Sequence, residues 1–192
     1  MDSLIAASAR ALAAGDALGA LKRVALRTDA AGLALRGVAM AQLGEFARAR
    51  TLLRSAERAF GPGEAVPRAR CLVAQAEIAL VSRDLRWPAG VLESARQTLE
   101  QYGDLVNAAH ARCLEVRRLV LVGDVTAAAA LLRAMKVTAL PQAARATHAL
   151  VVAGLAMRRL QTRNARAALA RAALAAQRSG IVALVEIGRA HV

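Results

Sequence analysis

The chain has 192 residues, a net charge of +13 at neutral pH and a sequence pI of about 11.6. Hydrophobic residues make up 57% of it, but aromatic residues only 2%. Ala, Leu and Arg dominate, all three are strong helix formers, and no run of β-branched residues marks a strand. We therefore predict an all-α protein, long enough to bury a core as one domain or two small ones, whose helices approach closely through Ala.

The charge has two interpretations. A basic surface can attract nucleic acid or an acidic partner. Nearly all the basic residues are Arg, however, with only Lys22 and Lys136 as lysines, which is typical of a GC-rich coding sequence. No aromatic residues interleave with the arginines to give bases a stacking platform. We favour the compositional interpretation and keep nucleic-acid binding through an Arg-rich surface as an alternative.

Apolar spacing and turn residues predict five helical hairpins in chain order. Ser3 is the expected N-cap of the first helix, Asn164 that of the last, and Pro88 fits the first turn of the helix that follows it. The predicted helix pairs are 3–14 with 17–26, the two halves of 33–60 around the turn at 44–46, 65–82 with 88–102, 105–122 with 125–135, and 142–160 with 164–178.

The predicted turns recur at a nearly constant interval. Gly44, Arg83, Gly123 and Arg163 are 39, 40 and 40 residues apart. Five, nine and twelve residues after each of them stand residues that are mostly small, apolar and small again. These sets are Ala49, Leu53 and Ala56; Pro88, Leu92 and Ala95; Ala128, Leu132 and Met135; Ala168, Ala172 and Ala175. Repeats of about 40 residues made of two helices predict an α-solenoid of about five antiparallel hairpins.

The second hairpin resembles the tetratricopeptide-repeat family. The residues that carry the resemblance are Leu33, Gly37, Gly44, Phe46, Ala49, Leu53 and Ala56. The family is a scaffold for binding and not a catalyst, and its first helices usually line a concave groove. The likeness extends to the helical-repeat regions of bacterial transcriptional regulators that carry a helix-turn-helix elsewhere. It implies a tetratricopeptide-like domain over 1–186 that acts as an interaction or sensor module, or alternatively as a stand-alone peptide-binding scaffold.

Two pairs of residues are candidate binding residues. Arg70 and Glu77 are seven residues apart and share one helix face, and His110 and Arg117 occupy the same two places one repeat later. By the resemblance these places face the groove, where they would meet a protein or peptide ligand. The alternative is that all four are ordinary solvated residues.

Another set of basic side chains has a plainer interpretation. Arg50, Arg54 and Arg58 form a row at four-residue spacing on a second helix, which we interpret as a solvated convex face.

No pattern of catalytic or metal-binding residues stands out. The three histidines are far apart and lack Ser, Cys or Asp partners at a recognisable spacing, so we expect no enzyme activity and no cofactor. Cys71 and Cys113 lie in apolar helical stretches, which predicts buried free thiols in a cytoplasmic protein. No secretory signal and no apolar run long enough for a bilayer is present in the sequence.

The C-terminal end predicts a truncation. Residues 181–186 look like the start of another helix, and residues 187–192 match the translation of a sequencing-library adapter. We expect 187–192 to be a non-native tail, with a DNA-binding domain possible downstream in the natural protein. The final helix is apolar on more than one side, so the C-terminal repeat is expected to self-associate.

Overall fold

The computed structural model describes residues 2–181 and Val185, with Ala89 described by its backbone alone. Within this part of the chain every regular element is an α-helix, which confirms the all-α prediction. The helices are α1 Ser3–Ala13, α2 Ala17–Val24, α3 Ala30–Gln42, α4 Phe46–Ala59, α5 Ala65–Val81, α6 Ala89–Gln101, α7 Leu105–Val122, α8 Val125–Arg133, α9 Gln142–Arg158 and α10 Thr162–Ser179.

The N-caps of the first and last helices lie one and three residues earlier than expected. Ser3 is already helical, and Asp2 is the N-cap because its carboxylate accepts a hydrogen bond from the Leu4 N–H at 3.0 Å. In α10 the residue before the helix is Gln161. Asn164 lies inside the helix and donates from its side chain to the Gln161 Oε1 at 3.2 Å. Both differences move a helix start toward the N-terminus.

Five turns between consecutive helices share one hydrogen-bond pattern. In each, a residue in the left-handed region follows the helix, and the next residue donates its N–H to the carbonyl five positions earlier, at 2.8–2.9 Å. This bond caps the carbonyls that the helix end leaves open, as in a Schellman turn. The donor and acceptor pairs are Asp16 and Ala11, Glu45 and Met40, Asp84 and Ala79, Asp124 and Leu119, and Gln161 and Ala156.

The last of these turns corrects the register of the repeat. Leu160, with φ of 57°, takes the left-handed position, whereas the expected turn residue Arg163 lies inside α10. The left-handed residues Gly44, Arg83, Gly123 and Leu160 are thus 39, 40 and 37 residues apart. Three residues into α10 stands the buried Ala165, the place that Ala49 has in α4.

The third hairpin also departs from the expected spacing. Pro88 is exposed and precedes α6, where it serves as the N-cap instead of occupying the first helical turn. Leu92 and Ala95 are buried as the spacing predicts, each 3% exposed. The departure arises because residues 82–88 form a longer connection than the other four turns.

The chain divides into two compact units, Met1–Tyr102 and Gly103–Val192. In the first unit α1 contacts α2, α3 contacts α4, and α5 contacts α6. Its larger core joins the buried face of α4 to α5 and Phe60, with Phe46 packed partly buried against it. The buried members are Ala49, Leu53, Ala56, Phe60, Cys71 and Ile78. A smaller core of Leu12, Ala17, Ala20 and Ala39 holds α1 to α2 and α3.

The second unit is built in the same way from α7 to α10. Here α7 contacts α8 and α9, and α9 contacts α10. One core gathers α7, α8 and α9, with Leu132 packed partly buried against it. Its buried members are Cys113, Val116, Ala128, Ala129, Val151 and Leu155. A second, made only of alanines, lets α9 and α10 approach closely through Ala146, Ala175 and Ala176.

Several expectations fall on residues outside this description. The helix start expected at 181–186 is described only at Ile181 and Val185, and the tail at 187–192 lies outside the described residues altogether. Among the helices that are described, none has the length and apolar character required to cross a bilayer.

Candidate functional site

The four predicted binding residues lie on two helices. Arg70 is exposed and Glu77 half-buried on α5, while His110 and Arg117 are both half-buried on α7. Each pair is two helical turns apart on its own helix. Because α5 belongs to the first unit and α7 to the second, a surface formed by all four residues stays a prediction.

A cleft of the first unit lies elsewhere. It has a volume of about 510 Å³ and is lined by side chains of α4 and α5 and by the connection between α5 and α6. The lining residues are Arg50, Arg54, Gln75, Asp84, Arg86, Trp87 and Pro88. This volume is within the range of about 300–1,000 Å³ that is usual for ligand sites in proteins.

Two arginines of α4 form one wall of the cleft. Arg50 and Arg54 are four residues apart and therefore lie one above the other on the same helix face. The buried residues Ala49, Leu53 and Ala56 anchor the other face of α4 in the core, which turns the two arginines outward. The row with Arg58 that the sequence predicts is partly retained: Arg54 and Arg58 are exposed, whereas Arg50 is half-buried in the cleft.

A single carboxylate projects into this basic cleft. Asp84 follows Arg83, whose φ of 54° is unusual for a side-chain-bearing residue, and the Asp84 N–H is tied to the Ala79 carbonyl at 2.8 Å. Its carboxylate lies 3.6 Å from the Arg50 guanidinium and 3.7 Å from the Arg86 guanidinium. Both distances exceed the usual range of a hydrogen bond, so both ion pairs are loose.

The floor of the cleft is polar and held in place. Gln75 is 7% exposed, and its side-chain N–H donates to the Glu57 carboxylate at 2.8 Å. Glu57 itself is not a lining residue of the cleft, and in the described part of the chain no carboxylate forms an ion pair with Arg54. The cleft therefore keeps a basic side chain available to a ligand.

The Trp87 side chain corrects an inference from the sequence. The sequence pattern predicts no aromatic neighbour for the arginines, yet the structure places the half-buried Trp87 in the same cleft as Arg50 and Arg54. The pairing was hidden because α4 and the connection after α5 are distant in sequence. The signals that could have indicated it are the adjacent Arg86-Trp87 pair and the unusual length of that connection.

Both thiols are free and buried. Burial, with a smaller contribution from the Glu57 charge, raises the pKa of Cys71 to about 12. Burial also raises the pKa of Cys113 to about 11, and the positive charge of Arg117 opposes that rise. A thiol must ionise to act as a nucleophile, so both are chemically inert in the folded units.

His148 on α9 is a buried titratable group of the second unit. Burial, and secondarily the charge of Arg171, lower its pKa from the ordinary value of 6.5. Its Nε2 atom has no hydrogen-bond partner among the residues described. A buried imidazole in the neutral form, with no hydrogen bond to Nε2 from the described residues, fits a structural role.

The second unit has a smaller cleft, of about 230 Å³, between α9 and α10. Its walls are Val152, Leu155, Ala156, Arg159, Gln161, Asn164, Ala167 and Arg171. The Arg159 guanidinium donates a hydrogen bond to the Val125 carbonyl at 2.7 Å and so links α9 to the start of α8. Across the described parts of both units, no three His, Cys, Asp or Glu side chains are grouped so as to hold a metal ion.

No protein-family model, curated protein or solved structure matches this chain. The geometry itself therefore defines its class: an all-α protein of successive helix pairs with a basic cleft in its first unit.

Proposed function

We propose that the chain is a non-catalytic helical-repeat module, a tetratricopeptide-like α-solenoid of about five antiparallel hairpins, that binds a protein or peptide segment. The observation that carries the proposal is the set of five turns with the same left-handed residue and the same capping hydrogen bond. Recurrence of one local structure along a chain is the property that defines repeat proteins.

The helix contacts support antiparallel hairpins. After each of four such turns the next helix begins two residues beyond the left-handed residue, and it packs against the helix before the turn. A connection that short leaves room only for a helix that runs back along its neighbour. In the second hairpin the return helix comes so close that Gly37 lies directly against Leu53.

The wider setting of the module follows from the family resemblance alone. We propose that it serves as the sensor or interaction part of a longer bacterial transcriptional regulator, in the cytoplasm, with a stand-alone scaffold as the alternative. In either setting the ligand-binding surface belongs to the helical repeats, so one binding experiment tests both.

Selection from a phage-displayed random peptide library on the immobilised chain tests the function. We expect enriched peptides with a shared sequence, whose binding is competed by the folded chain in solution and is lost when the chain is unfolded in urea. If no peptide is enriched and single-stranded oligonucleotides bind with a steep dependence on salt, the proposal is wrong and the Arg-rich surface binds nucleic acid.

A further inference from the structure

We infer that the cleft of the first unit binds an acidic peptide segment, whose carboxylate is held by Arg50 and Arg54 while Asp84 competes with it as an internal carboxylate. The inference rests on the proposed function, because it assigns that function a ligand chemistry and a place. It also places the ligand outside the four residues that the family resemblance implies.

The charge of the cleft selects an anion. Three arginines line it against the one carboxylate of Asp84, and the nearby Glu57 is engaged by Gln75. Arg50 and Arg54 stand one turn apart on α4, a spacing at which two guanidinium groups can donate to one carboxylate. Because Arg50 is half-buried, part of its interaction with a ligand would be shielded from water and salt.

Asp84 pairs only loosely with the arginines of the cleft. Its carboxylate lies between Arg50 and Arg86, but at 3.6 and 3.7 Å it makes neither pair tight. A ligand carboxylate can therefore take up Arg50 at hydrogen-bond distance without first breaking a strong bond. The hydrogen bond from the Asp84 N–H to the Ala79 carbonyl holds the backbone of Asp84 in place beside the cleft. A ligand anion must therefore bind the arginines more strongly than the Asp84 carboxylate does.

The remaining walls fit a peptide better than a nucleic acid. Trp87 and Pro88 add apolar surface next to the arginines, which suits the aliphatic part and backbone of an acidic segment. A nucleic acid gains its affinity from many phosphate contacts along its backbone. A cleft of about 510 Å³ that already holds a carboxylate offers room for one or two side chains instead.

The tryptophan provides a direct readout, because Trp87 is the only one in the chain. A short Glu-rich peptide without Trp, with a Gln-for-Glu peptide of the same length for comparison, is titrated into the full chain. Trp87 emission is followed, and binding is measured in parallel by anisotropy of a dye on the peptide. We expect a saturable emission change with the Glu-rich peptide alone.

Three variants separate the cleft from general charge. Arg54→Gln should weaken binding by about tenfold or more, as expected for loss of a charge-assisted contact. Asp84→Asn should strengthen binding by about twofold to fivefold, since it removes the competing carboxylate of a loose pair. Arg48→Gln is the matched control, because Arg48 is an exposed arginine of α4 outside the cleft, and it should leave binding unchanged.

Each other outcome overturns a distinct claim. Equal losses in Arg54→Gln and Arg48→Gln would show that the peptide responds to net charge and not to the cleft. Weaker binding in Asp84→Asn would show that Asp84 supports the site and does not compete with the peptide. Peptide binding without any change in Trp87 emission, and insensitive to Arg54→Gln, would move the site elsewhere and leave the proposed function intact. If a single-stranded oligonucleotide or inorganic phosphate bound more tightly than the peptide, and Arg54→Gln weakened that binding, the ligand of the cleft would be that anion and not an acidic peptide. Absence of binding by every peptide, including those from the library, would remove the proposed function as well.

Discussion

The close approach of α3 to α4 depends on one residue without a side chain. A Cβ atom placed on Gly37 would lie 2.7 Å from the Leu53 Cγ and 3.2 Å from the Leu53 backbone nitrogen. Leu53 is fully buried and its backbone cannot retreat easily. Gly37→Ala should therefore destabilise the protein by about 1–3 kcal/mol through overpacking, after any gain in helix propensity, as measured by urea unfolding.

Gly154 provides the control for that change. It also lies inside a helix, but a Cβ placed there would meet nothing within 4 Å. Gly154→Ala should therefore stabilise the protein, by up to about 1 kcal/mol, because only helix propensity changes. A loss of stability in both variants would contradict the tight seam at Gly37, since the effect would then not depend on Leu53.

His148 gives the second unit a dependence on pH. Folding lowers its pKa below 6.5, so the unfolded chain binds more protons than the folded one near that pH. Its contribution to stability is therefore complete above about pH 7 and is lost as the pH falls through 6.5. We expect the urea midpoint to decrease from about pH 7.5 to 5, and to decrease less in His148→Leu than in the control His110→Gln. If the urea midpoint fell equally with pH in both variants, other titrating groups would be responsible for the pH dependence.

At the residue scale, sequence and structure agree where one local pattern decides the environment. Apolar spacing predicts the burial of Cys71, Cys113 and the interior face of α4, because a helix repeats every 3.6 residues whatever it packs against. It could not predict that Trp87 lines the same cleft as Arg50. That placement depends on the path of the connection between α5 and α6, for which the sequence has no periodic signal.

At the scale of single elements, two of the turns contain residues whose backbone conformation is strained. Arg83 and Leu160 hold left-handed backbone with φ of 54° and 57°, where three other turns have Gly. An L-residue pays about 1–2 kcal/mol in that region, and Gly loses about 0.5–1 kcal/mol of chain entropy on folding. Arg83→Gly and Leu160→Gly should thus each stabilise the protein by roughly 0.5–1 kcal/mol, measured by thermal or urea unfolding.

The opposite change tests the same argument. Gly44 has φ of +83° and open space around its Cβ position, so only the backbone opposes a side chain there. Gly44→Ala should cost about 1–2 kcal/mol. If both Arg83→Gly and Gly44→Ala destabilised the protein, the Arg83 side chain would have a stabilising role that outweighs its backbone strain.

The left-handed turns also explain why helix existence was predictable and register was not. Gly-Asp pairs mark two of the five turns, Gly15-Asp16 and Gly123-Asp124, and the pairs Gly44-Glu45 and Arg83-Asp84 are close to that pattern. The fifth turn is formed by Leu160-Gln161, residues with no particular turn preference, so spacing from the earlier repeats misplaced it at Arg163. At this turn the capping bond between Gln161 and Ala156 accompanies the packing of α9 on α10, and residue spacing along the sequence does not describe that packing.

At the scale of the whole molecule, the chain carries one buried thiol in the core of each unit. Cys71 is 2% exposed in the first and Cys113 is 3% exposed in the second. Because burial raises both pKa values, neither thiol should react with a disulfide reagent at about pH 8 unless its surroundings open. The labelling rate of each cysteine in a single-cysteine chain therefore reports the opening of its own unit.

Two destabilising changes then test whether the units open separately. In a chain that keeps only Cys71, Gly37→Ala should accelerate labelling, by about tenfold for each 1.4 kcal/mol lost. In a chain that keeps only Cys113, Gly37→Ala should have no effect, whereas Val151→Ala, a change in the core around Cys113, should accelerate labelling. Cys71→Ala and Cys113→Ala supply the single-cysteine backgrounds. Equal acceleration of both thiols by either change would mean that the two compact units unfold as one cooperative body.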